Sequence, residues 1–343
     1  MIAPRRTQLV SQALSASTRV FRDSRVEILS SKEGFILQLC HMEFDLPAGK
    51  YIVAVSGGVD SVVLLHSLLQ AKDAPKKLDA QHPKLEFVVA HFDHGIRPDS
   101  AADCDFVRQL AAHYGLSFVS ERAELGVGAS EAKAREARYT FLRHVRIRYA
   151  ADAIITAHHE DDVLETIIIN WLRGTRSRGL SSLRSTAEIR RPLLGMSKKQ
   201  IRAYAHAHNL RWREDSTNTD ERYLRNYIRR RFMTKLETPM RKRLLDLSAQ
   251  AAQVNSAVDA LVREYLAQHM TAATIDRQIY RSLPPEVSCE VLAAWLRNHT
   301  QATITTKTLL RLDGALRTGR NGSLVDVAKG QSFRLTAATA HLQ

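Results

Sequence analysis

The chain has few cysteines and no long apolar run, and both shortages exclude classes of protein. Its 343 residues include three cysteines, Cys40, Cys104 and Cys289, which lie far apart and form no Cys-x-x-Cys pair. The chain therefore lacks the cysteines that a thiolate zinc site, a cysteine-bound cluster or a disulfide framework would need. No apolar stretch approaches the ~20 residues that span a bilayer, so we predict no membrane helix.

Two further absences concern targeting and nucleotide binding. Residues 1–22 contain several arginines but no continuous apolar segment, so we expect no secretory signal and a reducing, cytoplasmic location. The chain has no G-x-x-x-x-G-K-[ST], and thus no P-loop lysine for the β- and γ-phosphates. It has no G-x-G-x-x-G either. Any nucleotide must use a different loop.

The length predicts two domains, and the composition is that of a globular protein. Hydrophobic residues make up 44% and charged residues 25% of the chain, which are ordinary values. We predict a loosely ordered extension over residues 1–48, a first domain over 49–235 and a small, mostly helical C-terminal domain over 236–343.

The first domain alternates apolar strands with amphipathic helices. The predicted strands cover residues 51–55, 85–92, 116–120 and 152–159, and the predicted helices after the first cover 100–114, 130–150, 161–172 and 197–209. This rhythm predicts an α/β fold with a parallel sheet and helices on both faces. Near the C-terminus, "NGSLVDV" and "QSFRLTA" predict two short strands joined by a glycine turn.

The stretch "VAVSGGVDSVVLLHSLL", residues 53–69, places two glycines between a buried strand and a buried helix. One interpretation is a tight turn, in which glycine supplies the backbone angles and Ser or Asp caps the helix. The other is an anion site, because backbone N–H groups and the positive end of the helix dipole attract phosphate. The local pattern leaves both open.

Polar residues follow three of the predicted strands. In an open parallel sheet the carboxyl ends of the strands share one edge, and ligands bind beyond it. We therefore expect three clusters to converge: Ser56–Ser61 after the first strand; His91, Asp93, His94, Arg97 and Ser100 after the second; and His158, His159, Asp161, Asp162, Glu165 and Thr166 after the fourth.

The third cluster has a spacing that suits an amine ligand. Asp162, Glu165 and Thr166 lie at i, i+3 and i+4 on one helix face, and the two acids could hold an ammonium group. Early acids also suit a helix N-terminus, which is the alternative for Asp161. Asp60 could hold Mg²⁺ against phosphate oxygens. For the histidines we favour substrate contacts or hydrogen-bonded packing over zinc.

Positive charge is concentrated in one segment. The net charge is +14, and Arg176–Arg231 contains 15 Lys and Arg against 5 Asp and Glu. A solvated basic face is the simple alternative. Nucleic acid is favoured because aromatic residues interrupt the segment. These aromatic residues are Tyr204, Trp212, Tyr223 and Tyr227.

These motifs together resemble a known family. SGGVDS at 56–61 is similar to the PP-loop of N-type ATP pyrophosphatases. In combination with "HFDHGIRPDS", "EAKAREARYTFL", "TAHHEDDVLETIIINWLRG", "RPLL" and "DSTNTDERYLRNYIR", the chain resembles the tRNA(Ile)-lysidine synthetases over about residues 50–235. The likeness is looser over 236–343, and Tyr227 stands where a basic residue is more usual. The resemblance implies the adenine nucleotide alpha hydrolase-like fold.

The resemblance also implies a reaction and its residues. ATP would adenylate the C2 oxygen of the wobble cytidine in tRNA(Ile) with a CAU anticodon, and L-lysine would then displace AMP to give lysidine. Catalysis would rest on Asp60, Asp162 and Glu165, with Mg²⁺ at Asp60. ATP would bind Ser56, Gly57, Gly58, Val59, Asp60, Ser61 and His91, and the other substrates would bind Asp162, Glu165, His94, Arg97, Arg138, Arg225 and Arg229. A homodimer stays open.

Two alternatives belong to other functional classes. A tRNA thiolase would need a persulfide cysteine or a cysteine-bound cluster, and the sequence offers neither. A non-catalytic nucleotide-binding RNA-binding module would bind ATP without releasing pyrophosphate.

Overall fold

The computed structural model describes residues 44, 46–73, 84–95, 100–126, 130–175, 177–214, 224–270, 273–300, 302 and 304–343. These residues form two compact units. The first comprises the described residues up to Asp161 and those within Arg184–Tyr223, and the second comprises Asp162–Leu183 and Leu224–Gln343. Each unit is built from two separate segments of the chain. The predicted domain boundaries at residues 48 and 235 instead divide the chain into consecutive segments, and they stay a prediction.

A five-stranded parallel sheet forms the centre of the first unit. Its strands are β1 Gly49–Ala54, β2 Leu85–Asp93, β3 Ser117–Arg122, β4 Ala153–Ile155 and β5 Ile189–Arg190. Their order is β3-β2-β1-β4-β5, and every neighbouring pair is parallel. The helices are α1 Val59–Asp73, α2 Ser100–His113, α3 Glu131–Arg148, the start of α4 Glu160–Leu172, and α6 Lys198–Ala207.

Side chains of β1 alternate between two buried faces. Tyr51 and Val53 pack in one apolar cluster with residues of α1, α2 and α6, whereas Ile52 packs in another with residues of α3. A strand that is buried on both sides reads as a continuous apolar run, which is why "YIVAV" is so hydrophobic. The predicted parallel sheet with helices on both faces is therefore confirmed.

Local signals set several helix ends, and one predicted strand end is wrong. Ser130 caps α3 by accepting from the Lys133 N–H, and Ser197 caps α6 in a reciprocal capping box with Gln200. The fourth strand ends at Ile155 rather than at His159. The polar residues after Ile155 form a loop, in which Thr156 Oγ1 lies 2.8 Å from His158 Nδ1.

The second unit combines helices with a small antiparallel sheet. Its helices are the rest of α4, then α5 Ser177–Leu180, α7 Leu224–Arg231, α8 Thr238–His269, α9 Arg277–Arg281, α10 Pro285–His299 and α11 Thr306–Thr318. The strands are β6 Thr274–Asp276, β7 Leu324–Ala328, β8 Gln331–Leu335 and β9 Thr339–Leu342, in the order β6-β9-β8-β7. The two short strands predicted near the C-terminus are β7 and β8, which pair antiparallel. The strands β6 and β9 are too short to show an alternation of apolar and polar residues in the sequence.

Buried apolar residues hold the second unit together. Trp295, Leu296 and Phe333 belong to a cluster that joins the sheet to α10 and α11. A smaller cluster contains Leu164 of α4 and Ile228 of α7. Within the described ranges, every helix is too short or too polar to be a candidate for crossing a bilayer.

The two glycines after β1 predict a difference that mutagenesis can measure. Gly57 has φ +90°, and an added Cβ would lie 3.4 Å from both Phe106 and Val107. Gly58 has no positive φ, and its added Cβ would meet Ser56 Oγ at 3.6 Å, an ordinary contact. We expect Gly57→Ala to lower the free energy of unfolding by about 1–3 kcal/mol. Gly58→Ala is the matched control, and denaturant unfolding measures both variants. Equal stability of the two variants would show that a side chain at Gly57 causes no backbone strain.

Candidate functional site

The loop between β1 and α1 is a turn closed by two serines. Ser61 Oγ donates to the carbonyl oxygen of Gly58 at 2.9 Å and accepts from the Ser56 N–H at 3.2 Å. The Gly58 N–H donates to Ser56 Oγ at 3.4 Å. Ser61 and Val59 are buried, whereas Ser56 is exposed. Hydrogen bonds of the chain itself therefore close the turn, at the helix end where the backbone dipole attracts anions.

This turn lies at the switch point of the sheet. From β1 the chain runs outward through β2 and β3 on one side, then returns to the other side of β1 for β4 and β5. Ligands of open α/β sheets bind at the carboxyl ends of strands where the order reverses in this way. The loops after β1 and β4 meet there, because His159 Nε2 lies 3.7 Å from Asp60 Oδ1.

Asp60 is paired with a lysine from a distant segment. Both of its carboxylate oxygens lie 2.7 Å from Lys198 Nζ. Lys198 is the first residue of α6, directly after the Ser197 cap. The helix dipole disfavours a cation at that end, and the carboxylate offsets this cost. Lys198 is missing from the sequence-based site, although two lysines in a first helical turn were a signal that could have drawn attention to it.

His91 lies beneath the turn as a packing group. Its side chain is buried, and Nδ1–H donates to the Val55 carbonyl at 2.9 Å. Burial lowers the pKa of His91 below its ordinary value, and the hydrogen bond to Val55 and the charge of Asp93 oppose this only in part. A neutral imidazole therefore supports the end of β1. Its predicted contact with ATP stays a prediction.

Three other residues that were predicted to bind substrate are His94, Arg138 and Arg97. The His94 ring lies edge-on to Phe92, with 4.9 Å between the ring centroids. The guanidinium carbon of Arg138 lies 5.2 Å from the centroid of the Tyr139 ring. Arg97 lies outside the described residues. Their roles in substrate binding stay predictions.

In the second unit, the structure brings the predicted acids together around an arginine. Glu165 Oε1 accepts from Arg229 Nε at 2.6 Å, and Glu165 Oε2 accepts from Arg229 Nη2 at 3.0 Å. The same Nη2 lies 3.6 Å from Asp162 Oδ1. Thr166 donates its hydroxyl to the Asp162 carbonyl at 2.7 Å. Arg229, predicted to bind substrate, therefore contacts both acids.

Burial makes the two carboxylates unequal. The Glu165 side chain is 0% exposed, whereas that of Asp162 is 14% exposed. Burial raises the pKa of Glu165 above its ordinary value, and Asp162 adds to this rise. Arg229, through its hydrogen bonds, and Arg225, through its charge, lower the same pKa without cancelling the effect. Arg229 thus favours the ionised form of Glu165, while Asp162 is the acid that a dissolved cation reaches first.

The described part of the basic segment Arg176–Arg231 contains arginines that pair with acids of their own unit and arginines at an exposed helix end. Arg178 donates to Glu290 at 2.6 Å within the second unit, and this pair joins α5 to α10. Arg230 and Arg231, in contrast, are exposed at the end of α7. Part of the positive charge of this segment is therefore offset by acids of the same unit.

The aromatic residues of the segment also divide. Tyr204 was predicted to interleave with the basic residues toward nucleic acid, and this is wrong because it is buried and its hydroxyl lies 2.9 Å from His66 Nδ1. Trp212 packs partly buried against the same core. Tyr223 lies outside the described residues.

The exposure of Tyr227 agrees with the predicted nucleic-acid surface. It is exposed on α7, and its ring centroid lies 6.0 Å from that of exposed Phe232. Arg230 and Arg231 follow Tyr227 at i+3 and i+4, so they share its face of the helix. Positive charge beside accessible rings suits the backbone and bases of single-stranded nucleic acid.

The side chains at the turn can be compared with the ligands that a divalent cation requires. Within the described ranges, no three His, Cys, Asp or Glu side chains group together as a metal cage. Mg²⁺ in nucleotide sites takes one or two carboxylates and completes its shell with phosphate oxygens and water. Asp60, a single half-exposed carboxylate beside the anion-binding turn, fits that kind of ion.

Known proteins resemble the chain in fold and in sequence. A solved structure of the U34-tRNA thiolase NcsA from Methanococcus maripaludis, with its [4Fe-4S] cluster, gives a TM-score of 0.51 at 16% identity and covers 65% of this chain and 80% of that one. At this identity the likeness concerns the fold alone.

Curated relatives named tRNA(Ile)-lysidine synthase are closer in sequence. The protein of Exiguobacterium sibiricum is 34% identical over 268 residues, which cover 75% of this chain and 62% of that protein. The protein of Thermus thermophilus is 40% identical over 214 residues, covering 60% and 39%. The protein of Deinococcus deserti is 32% identical over 300 residues, covering 85% and 52%. The chain thus spans 39% to 62% of the length of these relatives.

A family model agrees with the geometry of the turn. The model of the PP-loop domain matches residues 32–236, which include β1, the serine-closed turn and Asp60. This match covers more than half of the sequence. The chain therefore belongs to the PP-loop domain family.

Proposed function

We propose that the protein is an ATP-dependent ligase that joins L-lysine to C2 of the wobble cytidine of tRNA(Ile) with a CAU anticodon. The observation that carries the proposal is the identity of 32–40% to proteins named tRNA(Ile)-lysidine synthase. The serine-closed turn and the Asp162–Glu165 pair supply groups that suit the two half-reactions.

The first half-reaction uses ATP at the turn. The N-terminus of α1 binds the phosphates, and the C2 oxygen of cytidine attacks the α-phosphorus. The bond to the bridging oxygen breaks, and pyrophosphate leaves with its electrons. Asp60 would hold a Mg²⁺ ion, whose positive charge offsets the charge of the phosphates. The cytidine C2 now carries AMP, a good leaving group.

The second half-reaction uses lysine at the acidic pair. Asp162 binds the ε-ammonium group because it is the more exposed acid, and Glu165 holds Arg229 in position. After the ammonium group loses a proton to water, its nitrogen forms a bond to C2, the bond between C2 and its oxygen breaks, and AMP departs with that oxygen. A second proton passes from the nitrogen to water. Binding the amine in a fixed orientation lowers the entropic cost of this attack.

A thiolase is less well supported as an alternative. Two of the three cysteines are described, and they lie in different units, Cys104 on α2 and Cys289 on α10. The thiolase of known structure supports the fold and not the reaction.

The direct test is lysine incorporation. Purified protein, ATP, Mg²⁺ and radiolabelled lysine should label tRNA(Ile) with a CAU anticodon and release pyrophosphate. Asp60→Ala should abolish pyrophosphate release with thermal unfolding unchanged. ATP turnover without incorporation of lysine would refute the ligase. ATP binding without any turnover would indicate the non-catalytic module.

Glu165→Gln should impair the use of lysine more than the use of ATP. The amide keeps one acceptor for Arg229 and loses the charge, so Arg229 is held less firmly beside Asp162. We expect the KM for lysine to rise roughly 10–100-fold, as expected for a lost charge-assisted bond. The KM for ATP should change by less than about threefold on the same scale.

Asp161→Asn is the control for this variant, because it removes one negative charge from the same helix. It should leave both constants near those of the wild type. Equal losses for lysine and ATP in Glu165→Gln would show that the assignment of the lysine site is wrong.

Replacement of both Arg230 and Arg231 by Ala should weaken tRNA binding and its dependence on salt. Two phosphate contacts to single-stranded RNA account for about 1.4 in the slope of log K against log salt, so the slope should fall by that amount. Filter binding between low and moderate salt measures it. Arg263→Ala, an exposed change on α8, is the control. An unaltered slope in the double variant would show that Arg230 and Arg231 form a solvated face and do not contact the phosphates of the tRNA.

A further inference from the structure

The ion pair between Lys198 and Asp60 is partly exposed to solvent. The side chains of Asp60 and Lys198 are 28% and 34% exposed, and ion pairs that face water contribute little to folding. Lys198 also lies where the dipole of α6 disfavours a cation. A lysine in this place therefore requires a reason beyond packing.

The chemistry of the turn supplies that reason. A triphosphate that approaches the turn meets the Asp60 carboxylate, which repels it unless a cation lies between them. Lys198 is that cation in the structure, with Nζ 2.7 Å from both Asp60 oxygens. The chain also lacks the P-loop motif whose lysine contacts the β- and γ-phosphates.

We propose that Lys198 is an exchangeable phosphate-binding cation. Its ammonium group neutralises Asp60 in the free protein and moves to the β- and γ-phosphate oxygens when ATP binds. The move leaves Asp60 to the divalent cation of the nucleotide. This inference rests on the proposed binding of ATP at the turn and adds a residue that no motif contains.

The side chain suits the move. An ammonium group on a flexible four-carbon stem is a compact point charge that can change partners, and phosphate oxygens are strong acceptors for it. His159, 3.7 Å from Asp60 Oδ1, is a nitrogen donor that can stay with the carboxylate after Lys198 leaves. Asp60 is therefore not left without a neighbour during the exchange.

Lys198→Met tests the exchange because it should act on two ligands in opposite directions. ATP in EDTA should bind the variant roughly 10–100-fold more weakly, since a charge-assisted bond is lost. Mn²⁺ alone should bind more tightly than to the wild type, because a competing cation has left Asp60. AMP has neither a β- nor a γ-phosphate, so its affinity should change by less than about threefold. Calorimetry measures all three affinities.

Two variants control the result. Lys199→Met removes the same charge from the neighbouring exposed position of α6 and should match the wild type. Lys198→Arg keeps the charge and should recover most of the ATP affinity. If Lys198→Met does not fold, as thermal unfolding would show, Lys198→Gln takes its place with the same expected pattern.

Several results would overturn the proposal. Unchanged ATP affinity in the variant would show that Lys198 does not reach the phosphates. A parallel loss for ATP, AMP and Mn²⁺ would show that Lys198 only supports the shape of the turn. If wild-type protein itself fails to bind ATP, the proposed function fails together with the exchange; if only the variant departs from the expected pattern, the proposed function stands.

Discussion

The burial of β1 between two parallel neighbours is the constraint on which the first unit depends. Ile52 and Val53 have no exposed surface, and β1 pairs with β2 on one side and β4 on the other. Its carboxyl end is therefore fixed, and the turn that follows cannot shift without disturbing both pairings. This rigidity places the N-terminus of α1 and Asp60 at the point where the strand order reverses.

Two of the three acids assigned to chemistry, Asp60 and Glu165, are each hydrogen-bonded to a base from a distant segment. Asp60 and Lys198 are separated by 138 residues, and Glu165 and Arg229 by 64. In each pair the acid lies on one helix and the base lies on another. Each carboxylate is thus held in place by a base of the chain itself. In the proposed reaction, substrate cations and anions would compete with these paired groups, whose fixed charges are a form of electrostatic preorganisation.

The basic segment shows why the sum of charges says little about a binding surface. Arg178 and Arg229 each satisfy carboxylates inside the second unit, and Arg213 pairs with Asp103 inside the first. Such arginines order the fold because a planar guanidinium can bridge acids from separate helices. The exposed arginines of α7 differ from the other exposed basic residues because Tyr227 and Phe232 lie nearby.

Local patterns in the sequence were sufficient for the longer strands and helices of the first unit and for the turn, but not for the short strands β5, β6 and β9. The apolar run of β1, the caps at Ser130 and Ser197, and the Ser-Gly-Gly connection all depend on neighbouring residues, and the structure agrees with each. Tertiary structure alone decided that Lys198 meets Asp60, that Arg229 meets Glu165 and that Tyr204 is buried. The physical reason is that charge and aromatic character mark a residue as able to pair or to pack. The choice of partner depends on how helices far apart in the chain are brought together by burying their apolar faces.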